Sequence, residues 1–308
     1  MFRHQLKNSI IILSLLFLFI SSCEKKEPDK TPEKLLASTT IIADVVKNIC
    51  GDRANVESIL PPGASPHSFE AVPRDMVKID QADLIFINGA GLEQFLDRLI
   101  DHPDLKKKII SLSKNIELLH TDQSAPVEED NHSKDDPHVW MNPQNVITWA
   151  NTIEETLCKK DSVNCSYYKL KADVYKAQLK ALDIWIADQF KSIDENNRKI
   201  ITDHRMLGYY ASRYGLEQTG AIIPGFSTLA EPSAREIARL EDEIIKLKVK
   251  SILIGINVNP VLAERITQDT GTRLIRFYAG SLSEKNGPAD TYLKYMRFNT
   301  KAIVKALN

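Results

Sequence analysis

The sequence lacks a surplus of charge of either sign, since 40 Lys and Arg residues stand against 41 Asp and Glu residues. A nucleic-acid partner is therefore not expected, because proteins of that class present a basic face. The sequence also lacks the H-E-x-x-H motif of zinc proteases and the G-x-S-x-G motif of serine hydrolases. The apolar run from Ile10 to Ile20 is too short to span a membrane comfortably as a mature helix.

The N-terminus has the pattern of a secretory signal peptide. A short basic region, Arg3 to Lys7, precedes the apolar run. The run ends in Ile20-Ser21-Ser22-Cys23, which resembles the bacterial lipobox, where cleavage before the cysteine exposes it for lipid attachment. We therefore predict a signal peptide over 1–22, lipidation at Cys23 and a charged, Pro-containing tether over 23–34. The alternative is an ordinary secretory signal followed by a chance cysteine.

Cysteine is scarce, with four residues in the chain. Cys158 and Cys165 flank a short polar turn, and in an exported protein they either form a disulfide or remain as two separate thiols. Cys50 is then left over, and we expect it to be a buried small apolar residue rather than a reactive one.

Two series of alternating strands and helices are predicted, one on each side of a long helix. From Ser166 to Ile193 the sequence has neither Gly nor Pro, and apolar residues recur at helical spacing. Alternation of this kind predicts parallel sheets with right-handed crossovers and ligands at the carboxyl ends of the strands. We therefore expect an α/β fold of two βα lobes joined by one rigid helix. The predicted boundaries are an N-terminal lobe over 35–165, a linking helix over 166–195 and a C-terminal lobe over 196–308.

Three of the seven histidines occupy similar places in this pattern. His67 follows a predicted strand and a turn, and His204 follows another strand directly. His138 lies in the segment 136–143, which two prolines stiffen. If the three imidazoles meet in one cleft, they would bind a transition metal, with Zn²⁺ first among the candidates. Spacing alone leaves open three separately satisfied histidines, and His102, in a polar turn, is expected at the surface.

Five motifs occur in order from about residue 35 to the end of the chain. They are PPGASPHSFE around His67, DPHVWMNP around His138, TDHRMLGYYASRYGL around His204, STLAEPSAREIARL at 227–240 and GPADTYLKYMRFN at 287–299. Together they resemble the metal-binding lipoproteins of ABC importers for zinc and manganese, the ZnuA/TroA/PsaA-like proteins. The resemblance implies a chelatase-like fold with a helical backbone and a metal between the lobes. It also implies that His67, His138 and His204 are the metal ligands.

One position departs from the resemblance. The related proteins commonly have a fourth ligand, an Asp, at the place of Gly280, which has no side chain to bind a metal. Water, Glu231 or an acid from the loop 120–136 could fill that position instead. The missing oxygen ligand favours Zn²⁺ over Mn²⁺, because Mn²⁺ prefers oxygen donors, and so does a histidine at 204, where manganese-type members tend to have Glu.

The segment 120–136 is rich in acid and histidine and has no apolar period, so we expect a mobile surface loop. Its His120 and His132 could make weak, exchangeable metal contacts, as the His-rich loops of similar zinc proteins suggest. The alternative is a solvated charged loop without such a role.

These patterns predict a metal-binding protein rather than an enzyme. We expect an extracytoplasmic monomer, held at a bacterial membrane by its lipid anchor alone, that captures Zn²⁺ and delivers it to an ABC permease and its ATPase. Trp140, Tyr209 and Phe226 are expected to pack around the site. A second interpretation keeps the fold but has manganese, another divalent metal or a chelated metal as cargo. A third is a zinc metallohydrolase, in which Asp203 or Glu231 would be the general base.

Overall fold

The computed structural model describes residues 33–96, 103–120 and 135–308. The predicted signal peptide, the lipidation site Cys23 and the histidines His102 and His132 lie outside these residues. The first strand begins at Glu33, which pairs in register with Ala54, so the last two residues of the predicted tether belong to the first sheet.

The described strands form two parallel four-stranded sheets. The strand order is β2-β1-β3-β4 in the first sheet and β6-β5-β7-β8 in the second, so β1 and β5 occupy equivalent inner positions. The bounds of the strands are β1 Glu33–Ala37, β2 Ala54–Ser58, β3 Leu84–Ile87, β4 Ile109–Ser111, β5 Lys199–His204, β6 Glu217–Ile223, β7 Ser251–Gly255 and β8 Arg273–Phe277.

Helices connect and cover these strands. Their bounds are α1 Thr40–Cys50, α2 Pro73–Gln81, α3 Pro103–Lys106, α4 Pro143–Lys160, α5 Cys165–Phe190, α6 Gly208–Tyr214, α7 Ala234–Leu247, α8 Val261–Thr270 and α9 Tyr292–Leu307. Short 3₁₀ turns lie at Gln94–Leu96, Leu112–Asn115, Val139–Met141 and Glu195–Asn197. Within the described ranges, none of the helices is both long enough and apolar enough to cross a membrane.

Local sequence explains where several helices begin and end. Ser233 and Glu236 form a reciprocal capping box at the start of α7. Helix α6 ends at Gly215, whose φ of 68° is a left-handed value that glycine adopts easily. Helix α9 begins at Tyr292, because the side chain of Thr291 caps it by accepting a backbone amide hydrogen.

The core is continuous between the two lobes. One apolar cluster includes side chains of α1, α4, α5 and α9, among them the fully buried Trp149, Tyr175 and Tyr292. All four residues of β3 are buried, as expected for a parallel strand covered on both faces. Residues Glu33–Asn308 accordingly form one compact unit.

Helix α5 links the lobes. It has 26 residues, which corresponds to about 39 Å at a rise of ~1.5 Å per residue. It packs against α1 and α4 of the first lobe and against α9 of the second. It ends at Phe190, five residues before the predicted end at 195. The Phe190 carbonyl accepts a hydrogen bond from the Arg198 guanidinium. The predicted α/β fold of two parallel-sheet lobes joined by one long helix is confirmed.

A buried carboxylate ties α5 to both lobes. Asp183 of α5 accepts hydrogen bonds from Gln144 of α4 and from Arg213 and Tyr214 of α6. Since α4 belongs to the first lobe and α6 to the second, one side chain holds three helices together.

The structure joins Cys158 and Cys165 by a disulfide, between the end of α4 and the start of α5. Cys50 is buried in the first lobe, and burial raises the pKa of its thiol to about 11. A thiol with that pKa is a poor nucleophile near neutral pH.

Candidate metal centre

Three imidazoles meet at the carboxyl ends of the strands. The Nε2 atom of His138 lies 3.1 Å from Nε2 of His67 and 3.2 Å from Nε2 of His204. The ring centroids are 5.1–5.2 Å apart in all three pairs. One nitrogen from each ring lies within 4.8 Å of the others, close enough for the three rings to hold one metal ion.

Each histidine comes from a different element. His204 is the last residue of β5, whereas the sequence pattern predicts that it follows the strand. His138 immediately precedes the 3₁₀ turn Val139–Met141. His67 lies in the loop after β2, where its amide donates to Ser65 Oγ at 3.3 Å, and it is the least buried of the three. His204 is therefore held by a strand and His138 by a 3₁₀ turn, whereas His67 is held by a loop.

Two carboxylates orient two of the rings. Asp136 Oδ1 accepts from the Nδ1 and the backbone amide of His138 at 2.7 and 2.9 Å. Asp203 Oδ1 accepts from Nδ1 and the amide of His204 at 2.8 and 2.7 Å. A proton on Nδ1 leaves the lone pair of Nε2 directed at the other rings, which is the tautomer that binds a metal.

The role of these two aspartates was not predicted from the sequence, which proposed Asp203 as a general base and the acids of 120–136 as ligands. The sequence signal for these two aspartates is an acid shortly before the histidine. It lies one residue before in Asp203-His204 and two residues before in Asp136-Pro137-His138.

Further contacts hold the His138 segment. The Asn88 side chain donates to the Pro137 carbonyl at 2.9 Å, and the Tyr209 hydroxyl donates to the Asp136 carbonyl at 3.0 Å. The Trp140 ring lies 5.2 Å from the His138 ring and the Phe226 ring 6.5 Å from it. Trp140, Tyr209 and Phe226 thus lie around the cluster as packing and supporting side chains.

The electrostatics of the cluster favour a cation. Burial, followed by the neighbouring histidines, lowers the pKa of His67 and of His138 well below the ordinary value, so both rings are neutral near pH 7. Burial alone would raise the pKa of Asp203, but His204 and the amide hydrogen bonds outweigh it and the pKa is lowered. Burial raises the pKa of Asp136 to about 7. Neutral imidazoles beside an ionised carboxylate suit a divalent metal ion.

The other predicted contacts lie apart from the cluster. Glu231 is exposed and lines a neighbouring cavity without joining the three histidines. His120 is exposed, and its Nδ1 lies 2.6 Å from Asp135 Oδ1 at the base of the acidic segment. His132 lies outside the described residues.

The chain has no room for a side chain at Gly280. A Cβ atom there would lie 2.6 Å from Cδ of Pro66, closer than real Cβ contacts come. Pro66 immediately precedes His67, so an acid at position 280 would displace the loop that holds one of the three histidines. Within the described residues, the cluster therefore contains three nitrogen donors and no carboxylate.

Comparison with known proteins finds relatives along nearly the whole chain. The family model of ZnuA, the periplasmic component A of the zinc-uptake complex, matches residues 35–306. A metal ABC transporter substrate-binding lipoprotein of Lactococcus lactis is 30% identical over 313 residues, which cover 98% of each chain.

Two solved structures have the same fold. A Mn-bound mutant of the periplasmic metal-binding protein from Candidatus Liberibacter asiaticus has a TM-score of 0.79 at 28% identity, covering 90% of this chain and 100% of that one. The periplasmic zinc-binding protein TroA of Treponema pallidum has a TM-score of 0.80 at 24% identity, covering 90% and 99% of the two chains. The second likeness is one of fold alone.

Proposed function

The chain belongs to the family of ZnuA, the periplasmic component A of zinc-uptake complexes, and on that premise we propose that its cargo is Zn²⁺, bound by His67, His138 and His204. It is a substrate-binding component of a metal ABC importer, and its role is in metal uptake. The finer proposal concerns which metal it carries.

The observation that carries the proposal is the spacing of the three Nε2 atoms. Zn–N bonds of about 2.05 Å in a tetrahedral site place neighbouring nitrogens about 3.3 Å apart. In the structure the separations are 3.1 and 3.2 Å for the two pairs that include His138. Three imidazoles without a carboxylate also suit Zn²⁺ better than Mn²⁺, which prefers oxygen donors. The similar proteins bind different metals, so similarity does not decide between Zn²⁺ and Mn²⁺. The support for Zn²⁺ is the set of three nitrogen donors.

We propose that the zinc-loaded protein binds a membrane permease, which an ATPase drives. We propose that the protein works as a monomer outside the cytoplasm and that a lipid on Cys23 anchors it. The support is the lipobox-like sequence and the name of the Lactococcus lactis relative, which is a lipoprotein.

We also propose that the site has no catalytic role. A zinc hydrolase needs a general base beside the metal-bound water. Asp203 is unsuited to that task, because Oδ1 accepts from His204 and Oδ2 accepts from the Gly255 amide at 2.8 Å. Glu231, the other base considered, is exposed and outside the cluster.

The test is metal binding by purified protein with each histidine changed to Ala. His67→Ala, His138→Ala and His204→Ala should each weaken Zn²⁺ by more than about 100-fold, since loss of a supporting residue alone costs 10–100-fold. His120→Ala is the matched control, because this exposed histidine lies outside the cluster, and it should leave the affinity unchanged.

Competition between Zn²⁺ and Mn²⁺ on the wild-type protein tests the choice of metal, and tighter Mn²⁺ binding would reject zinc. Zinc affinity indifferent to all three histidine changes would show that the site is wrongly assigned. Turnover of ester or peptide substrates by the zinc-loaded protein, lost with the same changes, would favour the hydrolase instead.

A further inference from the structure

A cavity of about 520 Å³ adjoins the metal cluster, and His67, His204 and Gly280 lie in its wall. One water molecule accounts for about 30 Å³ in the liquid, so a metal ion and a water would fill little of this space. Cavities of roughly 300–1,000 Å³ are the size that holds small organic molecules. We infer that the cavity binds a small N,O-chelating amino acid which completes the coordination of the metal, an inference that rests on the zinc site proposed above.

The first step is that the described residues supply only three of the donors that a zinc ion needs. In the described residues, only the three histidines bring donor atoms within reach of one ion. Both oxygens of Asp203 accept hydrogen bonds, from His204 and from the Gly255 amide. Gly280 offers no donor, and its contact with Pro66 excludes a side chain at that place. Among the described residues, a zinc ion held by the three rings therefore has a position open to a small molecule or water.

The second step is that the open position has space on one side. His67 and His204 both border the cavity, whereas His138 is not among its lining residues. A molecule in the cavity therefore has direct access to an ion held by the first two rings. His138 is buried behind them, with 1% of its surface exposed, so the opposite side is closed by protein.

The third step is the chemistry of the wall. Much of the wall is apolar, with Ile222, Ile254, Val258 and Leu262. The charged side chains that line it are acidic, Asp203 and Glu231, and no Lys or Arg is among the described lining residues. An acidic wall disfavours polyanionic chelators such as citrate or phosphates. An amino acid suits it, because its ammonium group releases a proton to the buffer and the resulting amine binds the metal together with the carboxylate. The zinc ion then has five donors, and the side chain of the amino acid packs on the apolar surface.

The probe for the test is L-histidine, titrated into zinc-loaded protein in a calorimeter, with native mass spectrometry to identify the bound species. We expect one L-histidine to be retained together with one zinc ion. We expect metal-free protein to retain no L-histidine, and citrate to bind to neither form.

Two neighbouring substitutions locate the binding. Ala230 lines the cavity, so Ala230→Trp should fill part of it and weaken L-histidine by at least about tenfold, while zinc affinity without L-histidine stays near that of the wild type. Leu229 is 52% exposed and does not line the cavity, so Leu229→Trp is the matched control and should bind L-histidine normally. Ala230→Leu, a smaller change, should give an intermediate affinity and covers the case in which the Trp variant misfolds.

Three outcomes would overturn the inference and leave the zinc proposal intact. They are zinc bound without retention of L-histidine, removal of the zinc by L-histidine, and equal L-histidine affinities in the variants at 229 and 230. Failure of the wild-type protein to bind zinc in the absence of L-histidine would instead reject the proposed function itself.

Discussion

Replacing Asp183 by Asn should destabilise the protein by about 3 kcal/mol without changing its affinity for zinc. The carboxylate is 7% exposed and accepts from Arg213 Nε at 3.1 Å, from Tyr214 at 2.9 Å and from Gln144 at 2.8 Å. Breaking a buried ion pair costs about 3–5 kcal/mol. We expect the lower end of this range, because 43% of the Arg213 side chain is exposed. Water can solvate the guanidinium in the variant and so offset part of the lost stability.

The effect should depend on pH in one direction. Burial alone would raise the pKa of Asp183, but the hydrogen bonds from Arg213, Tyr214 and Gln144 outweigh it and the pKa is lowered. A group with a lowered folded-state pKa stabilises the protein fully above its unfolded pKa, about 3.9 for Asp. The stabilisation is lost as the pH falls through the folded pKa, so wild type and variant should draw together below about pH 4.

Urea unfolding followed by circular dichroism at pH 7 and pH 3 measures both effects. The matched control is Asp173→Ala on the same helix, where the side chain is 72% exposed beside Lys176. It should change the free energy of unfolding by less than about 0.5 kcal/mol. Equal unfolding free energies for the Asp183 variant and this control at pH 7 would refute the claim that one carboxylate ties the linking helix to both lobes.

Three further substitutions test other contacts. Asp203→Asn removes the carboxylate that orients His204, so zinc affinity measured against a chromophoric chelator should fall by about 10–100-fold; an unchanged affinity would contradict that role. Gly280→Ala places a Cβ atom against Pro66, so the protein should lose about 1–3 kcal/mol in thermal unfolding; a melting temperature equal to that of the wild type would disprove the close approach. Ser233→Ala removes the cap of α7 and should cost about 1 kcal/mol in a urea titration, where no change would argue against the cap.

Elements with a strong local pattern could be predicted from the sequence, and their ends depended on tertiary contacts. The linking helix followed from a long stretch without Gly or Pro. Strand β5 was predicted to end before His204, but it includes His204, which pairs in register with Ile223 of the neighbouring strand. Local propensity does not determine such ends, because pairing partners lie far away in the sequence.

The candidate site was predictable to a different extent at each residue. The three histidines followed from their positions after strands and from the family motifs. The orienting role of Asp136 and Asp203 did not follow, because a sequence shows neighbours and not which nitrogen a carboxylate accepts from. The contact between Gly280 and Pro66 joins positions more than 200 residues apart, and no local pattern records it.

The uneven support of the three rings has a consequence for how quickly cargo could be exchanged. His138 and His204 are each clamped by a carboxylate, whereas His67 comes from a loop whose amide hydrogen bond to Ser65 is long, at 3.3 Å. A helix packed along both lobes opposes wide separation of the two halves. Release of the ion would then begin with the bond to His67, since its loop can move most easily. The ion would remain bound to His138 and His204 alone, and a receiving protein could take it from these two ligands.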